Sequence, residues 1–368
     1  MTTFQLNTSI RFGANALDAL DQYRDQRVLL VTDSFLASTD LFREASARLG
    51  SQVTVFDDVE PNPTVTLVGK GTTCYLKADP EVVVALGGGS PIDAAKAMHQ
   101  AALEVGRAAP HGLVVVPTTS GSGSEVTSFS VVTDEATHAK IAMVSPAMRP
   151  AVAILDPRAV LGVPPKVTAD AGMDALTHGL EAYVATNASD FSDAFAEKSV
   201  QMVFGSLARC YRHGSELDAR ERMHNASTLA ALAFDHAGLG IVHSLSHALG
   251  GRYPVAHGRL NALLLPHVMA FNAAESPKVA ARYARLARLT GMASGSIKAG
   301  VLSLIGAVER LRSELDIPAR ISEAGVSVAD LQASADDIAS TALNDRCTPT
   351  NPVQPTTAQL TAILRQIL

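Results

Sequence analysis

The sequence is poor in cysteine: only Cys74, Cys210 and Cys347 occur, far apart. An odd, scattered set excludes a disulfide framework and a cysteine-based zinc site, and it points to a reducing compartment. No run of 18 apolar residues is present, so nothing reads as a membrane span. A basic excess is also missing. The 30 Lys and Arg face 36 Asp and Glu, for a net charge of −6, which excludes the electrostatic footprint of a nucleic-acid binder. The opening MTTFQLNTSIRFG lacks the basic flank and apolar stretch of a secretory signal, so the expectation is a cytoplasmic protein. Apolar residues are abundant, at 47% against 18% charged. That balance supplies a large core and argues against disorder, and 368 residues suggest two or three domains.

The two halves read differently. Up to about residue 160, apolar β-branched runs at Arg27–Asp33, Gln52–Phe56, Glu81–Leu86, Gly112–Val116 and Ala151–Leu155 alternate with helical patterns such as Thr39–Leu49 and Pro91–Leu103. Continuous apolar strands alternating with helices predict a parallel sheet covered on both faces. After Val163-Pro164-Pro165 the strand signal stops. Ala- and Leu-rich stretches then predict helices over 168–185, 190–210, 219–237, 258–273, 278–289, 299–315 and 328–342. Thr348–Thr357 reads as a loop before a last short helix. The expected organisation is an α/β domain over 1–162 and an all-helical domain over 163–368.

Two loops follow predicted strands. Gly87-Gly88-Gly89-Ser90-Pro91-Ile92-Asp93 joins a strand to a helix, with Ser90 as N-cap, Pro91 at the first helical position and Asp93 returning a capping-box bond. Such a turn suits a phosphate, because free N–H groups and the helix dipole face the ligand; a plain tight turn would look the same. The second loop, Pro117-Thr118-Thr119-Ser120-Gly121-Ser122-Gly123-Ser124-Glu125, is dense in hydroxyls and tips the balance toward a nucleotide. Neither loop is G-x-G-x-x-G or a P-loop, so the nucleotide stays open.

Five of the 11 histidines, His236, His243, His247, His257 and His267, fall in one short stretch. His243 and His247 are spaced i, i+4, and Asp174 and His178 repeat that spacing, so each pair lies on one helix face. Two such helices facing one another would converge on a cation with N and O ligands. Spacing alone selects His243 and His247 downstream. His236 and His267 read as ordinary helix positions.

These residues are familiar in combination. GGGSPIDAAKA at 87–97, PTTSGSGSEVT at 117–127, ILDP at 154–157, AGMDALTHGLEAY at 171–183, HSLSHALGG from 243 and HGRLNALLLPHV ending at 268 resemble the iron-containing (group III) alcohol dehydrogenase family over essentially the full chain. ASDFSDAFAEK at 188–198 and MHNASTLA at 223–230 look most like its branch from propanediol- and ethanolamine-utilisation microcompartments. The resemblance implies the fold shared with dehydroquinate synthase: an α/β dinucleotide-binding domain, a helical domain and a cleft between them. It implies metal ligands Asp174, His178, His243 and His257, with His247 beside the nicotinamide instead of on the metal. Gly88, Gly89 and Ser90 would hold the pyrophosphate, and Asp93 in the same turn joins the cofactor-binding set. Thr118, Thr119, Ser122 and Lys140 would contact adenine or ribose, with Asn62 and Leu155 nearby. Asp33 matches the acidic position that meets the adenosine ribose, which implies NAD(H).

The implied activity is metal-dependent hydride transfer between NAD(H) and a short primary alcohol or aldehyde, propanol/propanal or ethanol/acetaldehyde, with His247 in proton transfer. Ser122 stands where the family more often has Thr, and Arg259-Leu260 where smaller or less charged pairs are common. Alternatives are reduction of an acidic carbonyl such as maleylacetate, a dehydroquinate synthase-like elimination, and a microcompartment interaction protein with a decayed site. The last is disfavoured by the intact ligand positions. Family habit points to Fe2+, and the same donors suit Zn2+, Co2+ or Ni2+. Expected partners are the small-molecule substrate and a second copy in a homodimer, with microcompartment shell or enzyme partners in addition.

Overall fold

The computed structural model describes residues 3–136, 140–293 and 295–368. The chain divides into two compact units, Met1–Val163 and Pro164–Leu368. The first unit carries β1 (Ser9–Phe12), β2 (Val28–Val31), β3 (Val53–Phe56), β4 (Val82–Gly87), β5 (Leu113–Pro117), β6 (Phe129–Thr133), β7 (Lys140–Val144) and β8 (Val152–Leu155). Its helices are α1 (Ser34–Ala37), α2 (Asp40–Leu49), α3 (Val65–Ala78) and α4 (Gly89–Glu104). Six strands form one sheet in the order β1-β8-β5-β4-β2-β3, parallel throughout, and β6 and β7 pair separately as an antiparallel ribbon.

Strand alternation divides the core cleanly. Leu29, Val31, Val83, Ala85, Leu113 and Val115 pack with Tyr75 of α3 and Met98 of α4. Their neighbours Leu30, Val82, Val84, Val114 and Val116 pack on the other face with Leu17, Leu20, Ala45 and Leu49. Both faces are therefore apolar, which is why these strands read as continuous runs. The helices that follow β2 and β4 lie on opposite faces. The carboxyl ends of those neighbouring strands thus flank a topological switch point, where open α/β sheets bind ligands.

The second unit carries α5 (Pro165–Val184), α6 (Asp190–Arg212), α7 (Leu217–Ala237), α8 (Ile241–Arg252), α9 (His257–Glu275), α10 (Pro277–Leu289), α11 (Ile297–Glu314), α12 (Val328–Leu343) and α13 (Thr357–Gln366). Among the described residues it has no strand, and no single helix is long and apolar enough to cross a membrane.

Three strands lie outside the runs expected from sequence. β1 is an edge strand with Phe12 largely exposed, and β6 and β7 form a two-stranded ribbon, so none needs an apolar run buried on both faces. The capping expectation at the glycine turn is also corrected. The N-cap is Gly88, α4 begins at Gly89, and no side chain caps it, so Pro91 falls third in the helix and Asp93 fifth. Pro91 is still tolerated there, because the N–H groups of a first turn have no intrahelical acceptor. Asp93, too far along to reach back, instead accepts Ser124 Oγ at 2.7 Å and Val131 N at 2.9 Å.

Asp93 is therefore a buttress that ties the hydroxyl-rich loop and β6 to α4. Burial pushes its carboxyl up, against the nearby Lys96 cation and the two hydrogen bonds. Lys96, fully buried, donates to the carbonyls of Thr127 and Phe129 at 2.8 Å each. Asp93→Ala would strand the Ser124 and Val131 donors and remove the charge facing Lys96. The expected cost is about 3 kcal/mol, read as a lower midpoint in chemical denaturation.

Candidate metal centre and cofactor loops

In α5, Asp174 and His178 stand one turn apart on the same buried face. Asp174 Oδ1 lies 3.6 Å from His178 Nε2, 3.6 Å from His243 Nε2 and 3.5 Å from His257 Nε2. Donors about 2.1 Å from a tetrahedral cation stand about 3.4 Å from one another, so each imidazole stands at ligand-shell spacing from the carboxylate oxygen, and Asp174, His178 and His243 also bring one ligand atom each to within 4.8 Å of one another. Asn261 Nδ2 donates to Asp174 Oδ1 at 2.8 Å and lies 3.4 Å from His243 Nε2 and 3.2 Å from His257 Nε2. Three neutral imidazoles and one carboxylate suit Fe2+, Zn2+ or Co2+.

Hydrogen bonds and packing orient the donors. Glu181, two turns along α5 from Asp174, accepts His243 Nδ1–H at 2.6 Å and Val242 N–H at 2.7 Å. Its carboxylate therefore sits at the N-terminus of α8, where the free N–H groups and helix dipole favour it, and it leaves His243 Nε2 as the donor. Gly240, the N-cap of α8, makes this approach possible, since a Cβ there would fall 2.7 Å from Glu181 Oε1. His257 opens α9, and its neighbour Gly258 presses on α5 so closely that a Cβ would meet the Asp170 carbonyl oxygen at 1.9 Å. Only glycine lets the two helices meet there. The His178 ring stacks on His243 at 4.7 Å between centroids and lies 4.4 Å from Phe234.

The electrostatics follow from crowding. Burial would raise the Asp174 carboxyl, but the His178, His257 and His243 imidazoles hold it well below the usual carboxylate range. Burial lowers His257 to about 3, helped by the neighbouring imidazoles against the pull of Asp174. Although its ring edge reaches the surface, its Nε2 sits in the cluster, so it stays neutral and free to donate. Burial also opposes charge on His243, yet Glu181 and Asp174 lift it to about 9. The carboxylates that favour a proton on His243 Nε2 favour a cation in its place.

His247 is set apart. Its Nδ1 pairs with Asp345 Oδ2 at 2.9 Å, which leaves Nε2 as the other functional nitrogen. Burial would raise Asp345, but His247 and the Cys347 N–H bring it to about 2. Spacing alone grouped His247 with His243; here His257 is the imidazole against Asp174, and His247 stacks beside it at 5.3 Å. His236 bonds the Leu232 carbonyl at 3.0 Å and His267 bonds Gln366 at 2.9 Å, both outside the cluster.

In the first unit, Asp33, Gly88, Thr118 and Leu155 fall at the carboxyl ends of neighbouring parallel strands. A Cβ on Gly88 would lie 3.2 Å from Thr119 Cγ2, and one on Gly89 would lie 3.3 Å from Ser122 Oγ, so the two loops touch. Ser90 Oγ accepts Asn62 N–H at 3.3 Å, and Lys140 Nζ donates to Asn62 Oδ1. Asn62 has φ 60°, a left-handed conformation that asparagine tolerates better than most residues. Asp33 already caps α1, accepting Leu36 N–H at 2.9 Å through Oδ1.

The family model for iron-containing alcohol dehydrogenases matches residues 7–157, and the model for the C-terminal part of the Fe-containing alcohol dehydrogenase family matches 168–368. The chain belongs to the iron-containing alcohol dehydrogenase family. It is 42% identical to the 1-propanol dehydrogenase PduQ of Citrobacter freundii, over 86% of each chain. It is 38% identical to the PduQ enzyme of Salmonella typhimurium, over all of both chains. The solved structure of a 1,3-propanediol oxidoreductase superposes with a TM-score of 0.93 at 34% identity, covering both chains fully. This iron-type dehydrogenase is an NAD-dependent oxidoreductase that interconverts alcohols and aldehydes with a divalent metal.

Three residues of the dehydrogenase escaped sequence reasoning. Glu181 shares the ligand face of α5 and was open to discovery by spacing. Asn261, one turn beyond His257, was too. Asp345 lies in a distant loop with no periodic signal. Metal analysis tests these assignments. His257→Ala should empty the site, while His247→Ala should keep its metal and lose turnover. Glu181→Gln, which weakens the hold on His243, should lower metal affinity about 10- to 100-fold.

Proposed function

We propose that the enzyme acts on primary alcohols and aldehydes of two to four carbons, with propanal or acetaldehyde reduced to the alcohol to regenerate NAD. The observation that carries the reading is the convergence of three imidazole nitrogens on one oxygen of Asp174. Asp174, His178, His243 and His257 would hold the divalent cation, most readily Fe2+. The cation supplies Lewis acidity that eases loss of a hydroxyl proton and polarises a carbonyl, while the nicotinamide carries the hydride. Glu181 keeps His243 in the donating tautomer. Asp345 does the same for His247, which moves the proton through Nε2. Gly88, Gly89 and Ser90 would receive the pyrophosphate, and Thr118, Thr119, Ser122, Asn62 and Lys140 the sugar and base, with Leu155 alongside. Asp93 serves that set indirectly, by fixing the loop.

Small neutral substrates are favoured by the surroundings of the ligands. Segments 171–183 and 238–257 are rich in Ala, Leu, Ile, Val and Gly, which can bury an alkyl tail at about 0.8 kcal/mol per methylene. Arg259 donates through Nε to Asp170 at 3.0 Å, so the cation nearest in sequence to His257 is already matched. That pairing weakens the alternative of an acidic carbonyl substrate. The likeness to microcompartment enzymes over 188–198 and 223–230 supports work in that setting.

The deciding measurement is kcat/KM for acetaldehyde, propanal and butanal against maleylacetate. Selectivity among the aldehydes should be about tenfold or less per methylene, and the dianion should be far poorer. A preference for maleylacetate would make Arg252 or Arg259 the specificity residue.

Asp33 should select NAD(H), since its free carboxylate oxygen can accept the ribose 2′-hydroxyl and would repel a 2′-phosphate. Asp33→Asn keeps the cap on α1 and removes the charge. It should narrow the NADH/NADPH ratio of kcat/KM by about tenfold or more.

A further inference from the structure

Beside the Asp174 cluster lies a second convergence that the reaction does not use in full. His247 of α8 and Asp345 and Cys347 of the loop after α12 bring one ligand atom each to within 4.8 Å of one another. The loop is held firmly. Asp345 Oδ1 accepts the Cys347 N–H at 2.8 Å, and Thr348 Oγ1 donates to the Ala342 carbonyl of α12 at 2.6 Å and pairs with Ser244 Oγ of α8 at 2.8 Å. His247 and Asp345 keep 33% and 18% of their side chains exposed, which leaves an approach from solvent. The Asp174 cluster offers only nitrogen and oxygen, whereas this group adds sulfur. Thiolate ligands select thiophilic cations such as Zn2+ and Co2+.

We propose that His247, Asp345 and Cys347 form a second divalent-cation site, of softer character than the Asp174 cluster, and that a thiophilic ion bound there inhibits the enzyme by taking His247 out of proton transfer. Binding exchanges one proton for one ion. The Cys347 S–H bond breaks, the sulfur becomes a thiolate ligand, its proton leaves to solvent, and nothing is oxidised or reduced. His247 contributes the Nδ1 lone pair that faces Asp345, and the proton it had donated to Asp345 moves through solvent to Nε2, so the ring stays neutral. Asp345 contributes an oxygen. Metal–nitrogen and metal–sulfur bonds of about 2.1 and 2.3 Å set donors about 3.6 Å apart, a closure within reach of side-chain rotation. The inhibition rests on the proposed role of His247; the binding does not.

Cobalt separates the two. Metal-loaded enzyme is titrated with Co2+ while metal content and near-ultraviolet absorption are followed. Because the Asp174 cluster has no sulfur, a thiolate-to-cobalt charge-transfer band reports cysteine ligation alone. One further equivalent of Co2+ with that band is expected. Cys347→Ser should lose both, and the Cys74→Ser/Cys210→Ser double variant, which keeps Cys347, should retain both. Zinc added to the loaded enzyme should inhibit it, and Cys347→Ser, relative to its own uninhibited rate, should need at least about tenfold more. Absence of the band, or its persistence in Cys347→Ser, overturns the site. A band that depends on Cys347 together with undiminished turnover at saturating Co2+ leaves the site standing and overturns the inhibition and the role of His247. Should Cys347→Ser fold poorly, Cys347→Ala and the double variant decide the same question.

Discussion

Around Asp174 a carboxylate and two imidazoles are buried in contact, with the more exposed His257 against them, and much of the helical unit is arranged to make that tolerable. A lone charge in such a place would cost several kcal/mol, so every ligand needs a partner that fixes its tautomer and direction. Glu181 does this for His243 from the same helix that carries Asp174 and His178, and in doing so it caps α8. The glycines at 240 and 258 follow from the same demand, since each removes a Cβ that would hold helices apart where donors must meet. Aiming and packing are here one requirement.

The cofactor half solves a different problem with similar economy. Parallel strands align their carboxyl ends, so short loops far apart in sequence become neighbours along one edge. The hydroxyl loop is held beside the glycine turn by Asp93 and Lys96 from inside α4. A residue inside the most characteristic motif of the chain is thus a structural brace.

What the sequence discloses depends on whether a residue's job is local. β2, β4 and β5 are visible because burial on both faces leaves no polar position, while β1 shows nothing, being an edge that pairs through its backbone. Asp174 and His178 are visible because one helix spaces them. His257 is not, because its approach depends on how α9 meets α5, and only the resemblance to a family indicated it. Asp345 meets His247 across 98 residues, from a loop whose composition says no more than that the helix has ended. The capping pattern at Ser90 misled for the opposite reason: the local signal was good, but the glycine turn let α4 begin earlier.

The donors at the Asp174 cluster come from three separate helices, α5, α8 and α9. No unfolded chain keeps them together, so an ion held there is held by the folded state alone. Each tenfold rise in the free ion above its dissociation constant then adds about 1.4 kcal/mol to the stability of the helical unit. For an enzyme in a cell this ties lifetime to supply. When the ion runs short, the population of opened molecules rises before any synthesis is switched off, and proteolysis draws on that population.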